Sequence, residues 1–442
     1  MAATGIGYAG IDGPWWLPAA EPFALPALAA AELRQIAGAV FTLFDAVDAL
    51  YGTPAGAACG LDALLEHRVP AGLLRHTGGG PVLGVRPDFQ LVPEDGGYRL
   101  VATELEICPS AQGFAHAMQL GYGLAPELAR AYAAMLGGRE LLVICASAWS
   151  EFLFDQLAFC RALAEAGARA RVLCDLPLAT LDDTIRRGLR WQPPLFGVRQ
   201  LPPGWDSDLP GRIARHGLAP FLGPPPAAWP ATVGDALIFR FGYVTCFAPE
   251  LLAQLRQWEA GGATWLNPPR FYLDSKTVLA ALQLPTVRAR IAADSAETLA
   301  ILDRCIPETL LLDERSAARV LRERSDWVLK YAGFDQGEQA WGGRSLQVGA
   351  RHSEAEWAEL VGRALGYPWP VIAQRATPSA QLAVAYVDTL GQQQILRGTT
   401  RLRAFMLRNS APGCYGVHLT VAGSANVAES TDAVQAPVLN GA

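Results

Sequence analysis

A short apolar strand ending in a lysine, Trp327-Val328-Leu329-Lys330-Tyr331-Ala332, runs directly into Gly333-Phe334-Asp335-Gln336-Gly337-Glu338 and on to Gly342-Gly343-Arg344. Such a pattern sets a point charge beside backbone N–H groups that can close over phosphates. The same pattern also describes a solvated strand end, so other residues must decide. A second cluster lies far upstream. Arg86-Pro87-Asp88 stands on one arm of an expected hairpin, and Glu104-Leu105-Glu106-Ile107-Cys108-Pro109 on the other. Alternate residues of a strand share a face, so Glu104 and Glu106 point together. Paired carboxylates suit magnesium, which takes oxygen ligands and shares them with nucleotide phosphates. Two glutamates on the wet side of an edge strand would look alike.

Three more pieces fall in the last 170 or so residues of the chain: Asp274-Ser275-Lys276 at a helix start, the buried run Pro370-Val371-Ile372-Ala373-Gln374-Arg375, and the alternation Arg401-Leu402-Arg403-Ala404-Phe405. Cys108 could be read as a nucleophile with His116, but a buried structural thiol explains it with fewer demands. Trp15-Trp16 reads as a core or interface anchor. Asn426 and Glu429 could reach a phosphate or metal, or belong to a solvated loop.

The elements that must position these residues are legible from periodicity. Residues 31–51 and 61–74 read as helices, and 81–91 with 98–107 as a hairpin turned by Pro93-Glu94-Asp95-Gly96-Gly97. A helix follows over 113–136. Glu140–Cys145, a helix over 149–166, and Arg169–Cys174 read as a Rossmann-like βαβ unit, with Ala146-Ser147-Ala148 where a dinucleotide fold would carry GxGxxG. Prolines crowd 192–230, interleaved with Trp191, Trp205, Phe221 and Trp229, as in ordered crossing loops. A strand over 235–241, a helix over 249–260 and a strand over 263–268 complete the middle. The last part reads as helices over 277–284, 295–304 and 313–324, a strand over 326–331, a helix over 354–365, and strands over 371–376, 382–390, 401–407 and 415–421. The expected class is α/β (α+β), with segments 1–139, 140–270 and 271–442.

Composition bounds the function. The chain has 442 residues, 51% hydrophobic and 18% charged, with net charge −6; these predict a large core and no basic face for nucleic acid. Eight cysteines without a CxxC pair read as reduced thiols of a cytoplasmic protein. The six histidines lack zinc spacing. The first residues lack a basic segment followed by an apolar core, and no uninterrupted 18-residue apolar window is evident, so neither a secretory signal nor a membrane partner is expected.

Taken in order, from about residue 81 to the end, these motifs resemble the ATP-grasp superfamily, in its glutathionylspermidine-synthase-like, circularly permuted branch. The resemblance implies an ATP-grasp architecture in which Lys276 and Lys330 hold nucleotide phosphates, the loop with Gly333 and Gly337 covers them, and Gln374 lies on the strand lining the adenine. It implies magnesium on Asp88, Glu104 and Glu106, with Arg86 facing the transferred phosphate and Arg403 as a further catalytic cation. The family's metal element maps either to Glu106-Ile107-Cys108, placing a thiol at a ligand position, or to Glu104-Leu105-Glu106, which keeps every ligand an oxygen. His418 stands where an arginine is common. The implied activity is an ATP- and Mg2+-dependent carboxylate–amine ligase acting through an acyl phosphate on small molecules and releasing ADP and phosphate. A phosphotransferase or a nucleotide-binding scaffold are the alternatives.

Overall fold

The computed structural model describes residues 17–70, 80–178, 180, 209–333, 346–388, 390–409, 412–423 and 433–440. Gly337, Asn426, Glu429 and the Trp15-Trp16 pair lie outside the described residues. In chain order the first strands are β1 (Leu17–Pro18), β2 (Phe23–Leu25), β3 (Gly84–Glu94), β4 (Gly97–Glu106), β5 (Glu140–Cys145), β6 (Arg169–Cys174), β7 (Leu237–Phe241) and β8 (Thr264–Trp265). Then come β9 (Thr309–Leu311), β10 (Trp327–Tyr331), β11 (Gln347–Val348), β12 (Val371–Arg375), β13 (Gln381–Val387), β14 (Gln393–Leu407), β15 (Gly413–Ala422) and β16 (Val434–Asn440). The fold is α/β, as the sequence predicts.

The strands form three sheets. The largest runs β1-β16-β15-β14-β3-β4, with β13 on β14 and β2 on β16. The early hairpin and the carboxy-terminal strands therefore share one sheet, because β3 pairs antiparallel with β14. The hairpin turns as expected at Asp95-Gly96, where Gly96 sits at φ 82, a region costly for a residue with a Cβ. Its long apolar neighbour, the helix Ala27–Leu50, buries twelve residues, among them Leu33, Val40, Phe41 and Phe44. This helix reaches a mean hydropathy of 1.3 over 18 residues and is long enough to cross a membrane. Its apolarity serves the core, and its polar residues are tied down: Asp48 to Arg270, Glu32 to Arg304 and Asp45 to Arg408.

The βαβ unit is part of a parallel sheet, ordered β6-β5-β7-β8. A 3-10 turn over Ser147–Phe152 precedes its helix, Leu153–Glu165. The described end of the proline-rich stretch is anchored by Trp229, whose indole donates to the Pro224 carbonyl at 3.0 Å and packs on Trp258.

The third sheet, β11-β10-β12-β9, forms a lobe with the helices Glu314–Arg322 and Glu354–Leu365. Both helices begin with reciprocal capping boxes, Asp313 with Ser316 and Ser353 with Glu356. The lobe has a core of its own around Trp327, Val320, Trp357 and Val361. Sequence periodicity did not resolve the helix Pro285–Asp294, whose apolar stripe reduces to Val287 and Ile291. It also missed β1, β2, β9 and β16, which are short or contain proline and gain their place from pairing.

Candidate functional site

The β3–β4 register assembles the upstream cluster. Arg86 pairs with Glu106 and Asp88 with Glu104, so all four side chains leave one face of the hairpin. On the other side of β3, Asp88 pairs with Arg403, and Arg401 lies two residues away on the same face. The Asp88 carboxylate is engaged at both oxygens. Oδ1 takes Arg86 Nε at 3.1 Å, while Oδ2 takes Arg401 Nη1 at 3.3 Å and Arg403 Nε at 3.4 Å. Burial alone would raise its pKa, but Arg86, Arg403 and Arg401 outweigh that and hold it well below the usual carboxylate range. Arg86 also donates to the Ser110 carbonyl at 2.7 Å, and Arg403 to Thr420 Oγ1 at 3.4 Å.

The register shifts after Asp88, because Phe89 faces Ala102 and Thr103 is the extra residue of a β-bulge. The bulge turns the Thr103 carbonyl toward the small lobe, where it accepts Lys330 Nζ at 2.9 Å. Gln374, on the neighbouring strand β12 where it pairs with Val328, accepts the same ammonium at 2.7 Å and donates to Thr309 Oγ1 at 3.1 Å. Burial pushes the Lys330 pKa down to about 7, with Glu104 opposing the shift.

Lys276 approaches from the body of the protein and meets Glu104 Oε1 at 2.7 Å. Its place is set by Asp274, two residues earlier, which is clamped by Arg240 at 2.8 and 3.1 Å and by the Val244 amide at 2.8 Å. Asn267 extends this buried network by donating to the Ile107 and Arg240 carbonyls at 2.8 and 2.7 Å. Ser275 then donates to the Ala332 carbonyl at 2.6 Å, joining the Lys276 segment to the end of the Lys330 strand.

Glu104 is held below its ordinary pKa: burial raises it, but Lys276 chiefly overcomes the effect. Glu106 goes the other way, to about 8, through burial and then through the negative charge of Glu104. Its Oε2 is buried and has no hydrogen-bond partner among the described residues.

A pocket of about 220 Å³ lies between the lobe and the large sheet, with Thr103, Glu104, Lys276, Lys330, Gln374 and Arg401 on its polar side. Val328, Leu346 and Val348 supply an apolar wall. Both lysines, Gln374 and Glu104 thus meet at one cavity. Gly333 sits at the strand exit, where a Cβ would come within 2.4 Å of the Tyr331 hydroxyl and 2.7 Å of Trp369 Cβ, so packing requires a glycine there.

Cys108 faces elsewhere. Its thiol donates to the Gly242 carbonyl at 3.4 Å and accepts from Asn267 at 3.2 Å, and burial raises its pKa far out of reach of ionisation. Of the two ways to map the metal element, the one with Glu104 and Glu106 keeps both side chains on the hairpin face. His418, on β15, pairs with Arg403 of β14 and is buried beside Phe114 and Phe405. Burial, aided by Arg403, lowers its pKa to about 3. The Thr103 carbonyl was missed by sequence reasoning, since nothing in the sequence marks a bulge. Arg401 carried a signal in its alternation with Arg403.

No family model matches this chain, and no curated protein matches it. Among solved structures, it is similar to a glutathione synthetase-like effector from Globodera pallida at 12% identity, over 96% of this chain and 90% of that one, with a TM-score of 0.48. It is also similar to a candidate gamma-glutamylcysteine synthetase from Methylobacillus flagellatus at 12% identity, over 77% and 76% of the two chains, with a TM-score of 0.38. Likeness at this level carries no argument about chemistry, which rests on the site's own geometry.

Proposed function

We propose that the protein is an ATP-dependent carboxylate–amine ligase. The observation that carries this reading is the convergence of Lys276 and Lys330, from two separate bodies, on one pocket with an apolar wall at one side and the Arg86/Arg401/Arg403 cluster beside the other. An apolar slot suits a base, and fixed cations suit a polyphosphate.

Magnesium fits part of the donor set. Glu104 and Glu106 offer oxygens on one face, and Glu106 Oε2 lacks a partner among the described residues. Asp88 already engages three guanidiniums. Among the described residues no three His, Cys, Asp or Glu side chains form a ready metal cluster. In this proposal Glu104 and Glu106 would hold the ion, with nucleotide phosphates supplying further oxygens, and the ion would contribute charge neutralisation. Asp88 keeps the three guanidiniums aligned.

The residues then divide the work. Lys276 exchanges Glu104 for a phosphate oxygen, and Lys330 exchanges its carbonyl partners for another. Arg86 and Arg403 stabilise charge on the phosphoryl group as it passes to a substrate carboxylate. The acyl phosphate so formed loses phosphate when an amine attacks its carbonyl carbon, and no covalent enzyme nucleophile takes part. Chromatography of the spent nucleotide tests the proposal. ADP, together with a hydroxamate when hydroxylamine replaces the amine, is expected. AMP as the sole product would refute it, and ADP with a stable phosphorylated product would mark a phosphotransferase.

A further inference from the structure

Arg68 is one of two non-glycine residues with positive φ among the described residues, at φ 57. A side chain in that conformation persists where surrounding contacts hold it there. The contacts are specific. Its guanidinium donates to the carbonyls of Ala364, Leu365 and Tyr367, at the end of the helix Glu354–Leu365. A helix leaves its last carbonyls without intrahelical donors, so a planar cation with several N–H groups suits this end. The adjacent His67 lies within electrostatic reach of Asp313, the cap of the lobe's other helix.

The two ends of this contact belong to different bodies. Arg68 follows the helix Leu61–Leu65, which packs on the helix Thr277–Ala281 directly after Lys276. The carbonyls it holds belong to the lobe of β9 to β12, which has its own core and joins the body through residues 306–308 and 376–380. Tyr367, whose carbonyl Arg68 grips, packs edge-on against Tyr331 at 5.4 Å, next to Lys330. Across the pocket the bodies are joined by Lys330 to the Thr103 carbonyl and by Ser275 to the Ala332 carbonyl. The first of these is surrendered if Lys330 takes a phosphate.

We propose that Arg68 is a positioning residue, a clasp that fastens the Lys330 lobe to the Lys276 body and sets the width of the pocket between them. The clasp itself is independent of the pocket's ligand; its effect on nucleotide release rests on the function proposed above.

The test uses Arg68→Gly, since glycine takes positive φ without strain and removes the side chain with its guanidinium, and Arg68→Lys, which keeps the charge and much of the stem but presents one donor group where three carbonyls wait. Small-angle scattering of the free full-length protein should show a larger radius of gyration for Arg68→Gly than for wild type, with Arg68→Lys between them. ATP should leave the glycine variant about tenfold faster by stopped flow, the equivalent of about 1.4 kcal/mol. Scattering curves that superimpose for all three proteins would overturn the clasp. If wild type binds no ATP, the proposed function fails and scattering alone decides the clasp.

Discussion

Lys330 donates to the carbonyl of Thr103, the residue that the hairpin's β-bulge leaves out of register. One irregularity in β4 thereby supplies the lysine's resting partner across the gap between the small lobe and the acidic hairpin. If Lys330 holds a nucleotide phosphate as proposed, Lys330→Ala removes a charge-assisted contact worth about 1.5–3 kcal/mol, and ATP affinity should fall by about tenfold to a hundredfold. Calorimetric titration measures it, and equal affinity in both proteins would remove Lys330 from the site.

Glu106→Gln and Asp88→Asn should part company. Glu106 Oε2 has no partner to lose among the described residues, so the glutamine variant should melt within a few degrees of wild type while ATP-dependent turnover disappears. Asp88 is ion-paired with three guanidiniums, and breaking such a buried group costs about 3–5 kcal/mol. A melting curve with both variants equally stable would show that Asp88 does not hold the arginines.

His418 predicts a pH dependence. Its pKa is about 3 in the fold and about 6.5 when unfolded. Between these values the unfolded chain binds the extra proton, so stability is full above pH 6.5 and falls as pH drops toward 3. At pH 5 the loss is about 2 kcal/mol. His418→Phe keeps an aromatic ring beside Phe114 and Phe405 without the titration, so its melting temperature relative to wild type should rise on going from pH 7.5 to pH 5. A constant difference at the two pH values would clear His418 of any part in acid stability.

Cys108→Ser should leave turnover intact at a stability cost of about 1 kcal/mol, because a hydroxyl can still donate to Gly242 and accept from Asn267. Thiol-blocking reagents should likewise spare activity in the folded protein. Loss of turnover in a stable serine variant would give Cys108 a chemical role that its contacts do not suggest.

The sequence by itself determined what is local. Alternation put Glu104 and Glu106 on one face, Asp95-Gly96 turned the hairpin, the Glu140–Cys174 run made parallel strands, and the capping residues Asp313 and Ser353 started their helices. Each follows from a period of two or of about 3.6, or from the preference of one residue for one turn. Tertiary structure decided what depends on pairing between distant segments. The β3–β14 register brought Arg401 and Arg403 to Asp88, the bulge exposed the Thr103 carbonyl, the Arg240–Asp274 clamp aimed Lys276, and the lobe carried Lys330 across the pocket. No local pattern encodes those contacts, because a register shift of one residue moves a side chain to the opposite face of its strand without altering the strand's own sequence.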